Sequence, residues 1–398
     1  MPAMTSSATA PLLRRLNAER ALAVLREVGT IRLAELADAS GLSRPTVDAV
    51  IEDLRRIGLI AETEDAPAGR RGRPARLVRL RAERGYVVGI DIGVHKCVVS
   101  VADLRGAVLA TEVRQLGQEL DRKARLDGVR RTVRAALKPA GVERSAVLAV
   151  CTATPGVVDP RTGVVLACDV LPDWKGLNLR TELGRSFGAP VLADNDANLA
   201  VVGERWRGVA AASQDVIYVL AGERLGAGIV SGGQVFRGHD GGAGEMAFLS
   251  LLEHTPGAEG IGALASHVGK EVVARLREHD AVRPGGAEGL TGDAALLMAA
   301  ARDGDEEAQQ VLEQILARIA RAVGTLALLL NPELIVIGGG VAAAGEQIAE
   351  PIRRRLPQMT SLPPRLEVSS LGDRAVTVGA LRTALDVVES SLLDNLNG

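Results

Sequence analysis

Aromatic residues are nearly missing from this chain of 398 residues: two Trp, two Tyr and three Phe, 2% of the total. A core without rings has to close by tight packing of small and aliphatic side chains. An apolar fraction of 47% and 45 Gly supply that material. Cysteine is scarce as well. Cys97, Cys151 and Cys168 are isolated, odd in number and without metal-ligand spacing, which argues against a disulfide framework or a thiolate metal site. No apolar run reaches the roughly 18–20 residues that span a bilayer, and no charged-then-apolar leader is read at the start. The expectation is a cytoplasmic protein with reduced thiols and no membrane partner.

Charge is present but unevenly placed. Residues 1–85 carry 15 Arg, no Lys and 11 Asp+Glu, a formal +4, whereas the remainder carries 32 basic and 38 acidic residues, a formal −6. A basic head on an acidic body is the asymmetry expected of a nucleic-acid binder. The local pattern agrees. Ile31 to Ala39 reads as a short helix burying Leu33, Leu36 and Ala37, and Gly41 supplies a turn with positive φ. Ser43 is placed as an N-cap with Pro45 in the first turn, and Thr46 to Ile57 follows as the third helix, burying Val47, Val50, Ile51 and Leu54. Arg44, Thr46, Asp48 and Ala49 then face outward where a recognition helix meets base edges.

A strand beginning near Ile60 and a partner at Leu77–Leu80 frame the loop Gly69-Arg70-Arg71-Gly72-Arg73-Pro74-Ala75-Arg76. Slim, extended backbone with guanidinium groups suits a narrow minor groove, so the loop reads as a wing. The expected contacts to double-stranded operator DNA are Arg32, Ser43, Arg44, Thr46, Arg70, Arg71, Arg73 and Arg76. Arg44 has the fork for a bidentate contact to guanine. Solvation of a linker is the bland alternative for the arginines; the charge asymmetry favours DNA.

The length predicts two or three domains. After Gly85, short apolar strands alternate with amphipathic helices, the signature of α/β layers. Tyr86–Ile92, Cys97–Ala102 and Ala107–Val113 read as strands, Leu120–Ala140 as a helix and Ala146–Cys151 as a further buried strand. Val311–Leu330 is apolar nearly all round toward its end and predicts a buried helix feeding a strand at Leu334–Ile337.

Several segments carry a specific resemblance. They are Asp91-Ile92-Gly93, Thr154-Pro155-Gly156-Val157-Val158-Asp159, Asp194-Asn195-Asp196-Ala197-Asn198, Gly226-Ala227-Gly228-Ile229-Val230, Gly238 to Glu245, Asn331-Pro332-Glu333 and Ile337-Gly338-Gly339-Gly340. In this order the body resembles the ROK family (repressors, open reading frames and sugar kinases), and with its head it resembles the ROK transcriptional regulators. The resemblance implies an α/β fold: an N-terminal winged helix–turn–helix over 1–85, then a two-lobed actin/hexokinase-like (RNase H-like) body. The lobes are expected at 86–195 and 196–372, with a last helix, Val376–Leu396, returning to the first.

The same resemblance makes Asp196 the match to the family's catalytic base and Asn195 its sugar-binding neighbour. A helix cap is the plain alternative for both, and one helix N-terminus can serve both purposes. Gly156, Asp169, Asn195, Asp196 and Glu245 are the expected ligand-binding residues. Catalysis is not expected. The first phosphate loop reads Val94-His95 where active relatives have Gly-Thr, and the second reads Glu223-Arg224 where they have Thr-Gly. A carboxylate at Glu223 beside ATP phosphates costs on the order of several kcal/mol at an effective dielectric near 20. The family's zinc motif is also missing: Phe248 stands in place of a His, Gly262 in place of a sugar-contacting Glu, and Glu253–Gly262 holds no Cys, leaving His254 alone. No metal and no cofactor are expected.

The reading is a DNA-binding regulator that senses a sugar or sugar derivative in a former kinase cleft and works as a homodimer or homotetramer. Two alternatives are a bifunctional sugar kinase with a DNA-binding head and a ligand-independent regulator whose body is a dimerisation scaffold.

Overall fold

The computed structural model describes residues 9–64, 76–246, 249, 259–278 and 292–397. The head consists of α1 (Thr9–Val28), α2 (Leu33–Ser40) and α3 (Arg44–Arg56). It is closed by a sheet of β1 (Thr30–Arg32), β2 (Ile60–Glu64) and β3 (Arg76–Leu80) in the order β1-β3-β2. Gly41, at φ 66°, ends α2 in the left-handed conformation that glycine takes without strain. Ser43 caps α3, its Oγ accepting the Thr46 N–H at 3.3 Å.

One boundary differs from expectation. Ile31 is not helical; it sits opposite Val78 in the antiparallel pair of β1 and β3, and α2 starts only at Leu33. A β-branched residue between Thr30 and Arg32 gains more from that pairing and its burial than from a first helical turn. Strands β2 and β3 form the expected antiparallel hairpin. Arg70, Arg71 and Arg73 lie outside the described residues.

Next come β4 (Tyr86–Ile92), β5 (Lys96–Asp103), β6 (Val108–Gln115), α4 (Arg122–Ala140) and β7 (Val147–Thr154). A small pair, β8 (Val157–Asp159) and β9 (Val164–Ala167), precedes α5 (Leu179–Gly184) and β10 (Val191–Asn195). The first five-stranded sheet runs β10-β7-β4-β5-β6. Helix α6 (Asp196–Arg207) leads to β11 (Val216–Ala221), β12 (Leu225–Ser231) and β13 (Gln234–Val235). Then follow α7 (Ile261–His267), α8 (Lys270–Glu278), α9 (Gly292–Arg302), α10 (Glu306–Leu330) and β14 (Leu334–Gly338). The chain closes with α11 (Glu346–Met359), β15 (Arg365–Val368) and α12 (Ala375–Asp394).

The second sheet runs β13-β12-β11-β14-β15. Each sheet therefore has the same pattern: three antiparallel strands, then two parallel to the first, on its far side. Strand β14 is buried at every residue, as a parallel strand covered on both faces must be.

Helix α12 returns to pack on α6, β4 and β7. Its contact with α6 is backbone to backbone: a Cβ on Gly379 would meet the Leu199 carbonyl oxygen at 1.7 Å, and one on Gly203 would meet the Ala375 oxygen at 2.3 Å. A single apolar cluster then joins head to body, running from Leu25, Leu36 and Leu54 to Leu199, Leu381 and Leu385. The expected burial of Val311–Leu330 fails in its last turn, where Leu328, Leu329 and Leu330 are 60%, 73% and 42% exposed. Successive residues on a helix point about 100° apart, so three exposed in a row mean that no described element covers most of that turn.

Candidate functional site

The two sheets meet where β4, β7 and β10 end and the hairpin of β11 and β12 turns. A cavity of about 120 Å³ opens there, and Gly156, Asp169, Asn195, Asp196 and Glu245 all line it. Strand β10 delivers Asn195 and Asp196 to the start of α6. Asn195 Oδ1 accepts the N–H groups of Ala197 and Asn198 at 2.9 and 3.2 Å, and its Nδ2 donates to the Gly156 carbonyl at 3.0 Å. Asp196 Oδ1 accepts the Ala197 N–H at 2.8 Å. The cap and the cavity wall are thus the same residues. Gly156 has φ 90°, and a Cβ there would meet the Ala167 carbonyl oxygen at 2.2 Å, so the turn beside Asn195 admits only glycine. Gly244, also at φ 90°, packs against the Ala227 carbonyl and sets Glu245 opposite Gly226.

Burial raises the Asp196 carboxyl to about 8, with the charge of Asp91 adding to the effect. Asp91 rises to about 7, again through burial, with Lys96 opposing and Asp373 reinforcing the shift. Glu245 is exposed overall, yet its carboxyl is desolvated enough to be pushed up, against the pull of Arg224. Burial therefore favours the protonated forms of Asp196, Asp91 and Glu245 more than water does.

Several polar groups of the two loops have partners within the protein. The Gly93 N–H donates to the Lys96 carbonyl at 2.9 Å. The carbonyls of Gly93 and Val94 accept from the fully buried Arg125 at 2.9 and 3.0 Å. Lys96 Nζ is held by Asp373 at 2.6 Å. In the second loop, Gly222 N–H donates to the Arg224 carbonyl at 3.2 Å and the Gly260 N–H to that of Glu223 at 2.9 Å. Gly339 N–H donates to the Tyr218 hydroxyl at 2.9 Å. Glu223 does not enter the cavity: it is exposed, and its Oε2 lies 2.4 Å from where a Cβ on Gly262 would stand. Arg224 does enter it, which the sequence did not signal, because its direction depends on a three-residue hairpin loop. Cys168 also lines the wall.

On the head, Arg44, Asp48 and Ala49 are exposed, and Thr46 is half-buried with its hydroxyl 2.7 Å from Ser43 Oγ. Arg32 is exposed beside Glu35, and Arg76 is held by Glu62 at 2.9 Å across the hairpin. The head is anchored to the body by Arg26, which donates to the Leu104 carbonyl at 3.2 Å and pairs with Glu389. Arg105 donates back to the carbonyls of Arg26 and Glu27 at 3.1 and 3.2 Å. Arg15 pairs with Asp394 at 2.7 Å, and Arg56 reaches the Leu396 carbonyl at 3.1 Å. At the far end of α6, Arg207 donates to the Gly106 carbonyl at 2.7 Å and lies over Trp206.

The sequence pattern of the ROK family matches residues 87–387. The chain belongs to the ROK family. As a ROK protein it shares 25% identity with the xylose repressor of Caldicellulosiruptor bescii over 388 residues, 93% of this chain and 95% of that one. It shares 28% with a glucokinase of Thermotoga maritima over 280 residues, 68% of this chain and 86% of that one. A crystal structure of a ROK family transcriptional regulator, a homolog of the E. coli MLC protein, matches at TM-score 0.74 with 22% identity, covering 97% of this chain and all of that one. The ROK family glucokinase from Streptomyces griseus, in complex with glucose and AMPPNP, matches at TM-score 0.65 with 28% identity, covering 76% of this chain and all of that one. The regulator match spans the head, and this ROK chain has the two-lobed fold that both structures share. Among the described residues, no helix is long and apolar enough to cross a membrane, and no group of His, Cys, Asp and Glu is arranged to hold a metal. Phe248 and His254 lie outside the described residues.

Proposed function

We propose that this ROK chain is a sugar-responsive transcriptional repressor without kinase activity. Its head reads duplex operator DNA, with Arg44 and Thr46 on base edges, Ser43 and Arg32 positioning α3, and Arg70, Arg71, Arg73 and Arg76 serving the wing. Its cleft holds a sugar or sugar derivative on Gly156, Asp169, Asn195, Asp196 and Glu245. The observation that carries the reading is a cavity lined by all five residues. The full-length likeness to a xylose repressor supports the same reading.

Ligand closes the lobes, and α6 passes the movement on, because it begins at Asp196 and ends at Arg207, which bonds the Arg105–Gly106 turn whose Arg105 in turn holds the end of α1. Closure changes DNA affinity only as far as ligand binds the two states unequally. Two heads reading half-sites one turn apart require a homo-oligomer. Exposed Leu328, Leu329 and Leu330 offer apolar surface for it.

Fluorescence anisotropy of the purified protein on promoter DNA, titrated with xylose and other sugars, tests the reading. A sugar that releases DNA supports it; indifference to duplex DNA at low salt ends it. One observation favours a kinase instead, namely Asp196 at the catalytic position in a chain 28% identical to a glucokinase. Sugar-dependent ADP formation that vanishes in Asp196→Ala would establish that alternative.

A further inference from the structure

Among the described residues, Arg224 is the one cation lining the cavity, and its side chain makes no ion pair or hydrogen bond with any of them. Its backbone is fixed in the hairpin loop by the Gly222 N–H bond and by a bridge to Glu259, so a rigid element presents the side chain. A half-buried guanidinium has lost part of its hydration and needs a partner to offset that loss. None of the described acids stands within ion-pair distance of it, although Glu245 feels its charge. Asp196 rises to about 8 through burial and is mostly protonated at neutral pH, and Glu245 is pushed up as well. Asp169 is exposed at the rim. A neutral Asp196 carboxyl donates a hydrogen bond, as do the Arg224 fork and the Asn195 amide when free of its own contacts. The wall thus offers hydrogen-bond donors beside a guanidinium that has no described carboxylate in contact with it.

Guanidinium planes match carboxylate and phosphate oxygens bidentately, and such charge-assisted bonds are about twice as strong as neutral ones. We propose that the effector is an anionic sugar, a monosaccharide bearing a phosphate or carboxylate group, whose oxyanion pairs with Arg224 while its ring hydroxyls meet Asn195 and Asp196. This rests on the effector-sensing reading above and specifies its ligand class.

Calorimetric titration of the full chain separates the possibilities. The probes are glucose, glucose 6-phosphate and glucuronate, mannose and mannose 6-phosphate, xylose and xylonate, with inorganic phosphate alone as control. At least one charged sugar is expected to bind about 10-fold or more tightly than its neutral parent, the scale of one charge-assisted bond. That advantage should collapse in Arg224→Ala and partly survive in Arg224→Lys, with unliganded melting curves showing that both variants fold. The phosphate and carboxylate arms identify which anion is used. Neutral parents binding as tightly as their charged derivatives would overturn the proposal and leave sugar sensing intact. So would Arg224→Ala weakening both alike, or inorganic phosphate binding as tightly as any sugar. Silence from every sugar would end the proposal and the effector reading together.

Discussion

Arg44 stands in the first turn of α3 with its guanidinium exposed, beside a Ser43–Thr46 pair that fixes the helix start. If it contacts guanine as proposed, replacing it with Ala should cost about 1–3 kcal/mol of operator affinity and relax specificity at that base. Anisotropy on operator variants checks this; equal loss on every sequence would reduce Arg44 to a phosphate contact. Asp196 makes a pH prediction. Its carboxyl, lifted from an ordinary 3.8 to about 8, holds its proton more tightly in the folded state. It therefore contributes stability that is fully present below pH about 4 and lost as pH rises through about 8. Asp196→Asn keeps an acceptor for the Ala197 N–H and removes the titration. Melting temperature should fall less steeply with pH in the variant and lie above wild type at pH 9, with Asp91 supplying the slope that remains. Identical slopes would mean Asp196 is solvated enough to ionise freely.

Helices α6 and α12 touch through glycine. With a Cβ on Gly379 forced to within 1.7 Å of the Leu199 oxygen, Gly379→Ala must push the helices apart. The expected loss is about 1–3 kcal/mol or more, read from the midpoint of denaturant unfolding. Unchanged stability would show that the pair slides freely. At this scale much was legible from the chain itself. Ser43-Arg44-Pro45 announces a capped helix, and β4, β5 and β7 are continuous apolar runs because both faces are covered. What was not legible depended on distant partners. Thr30–Arg32 is strand only because β3 lies beside it, and the exposure of Leu328–Leu330 reflects the lack of a cover among the described residues, which periodicity cannot report. The cleft divides the same way. Glycine turns and the Asp-Asn-Asp corner point to it locally, whereas Arg224 joins it only through the hairpin that brings β12 back beside β11.

Across the whole molecule, Arg26 of the head lies buried against Glu389 of α12, and Arg382 also reaches Glu389 at 3.3 Å. Burial lowers Arg26 to about 10, with Arg382 reinforcing the shift. Glu389→Ala strands that guanidinium without its carboxylate and should cost about 3–5 kcal/mol. Calorimetry should show the head melting ahead of the body in this variant and together with it in the wild type. Coincident melting in both would mean the shared apolar cluster alone joins them.

Helix α6 spans 12 residues, about 18 Å from the cleft corner to the surface where the head sits. On the function proposed above, a sugar that shifts the near end of this rod also shifts its far end, where Arg207 grips the Arg105–Gly106 turn. A DNA reader resting beside that far end would then receive the shift as a message. Regulation of this kind requires no new moving part, only something for an old one to push.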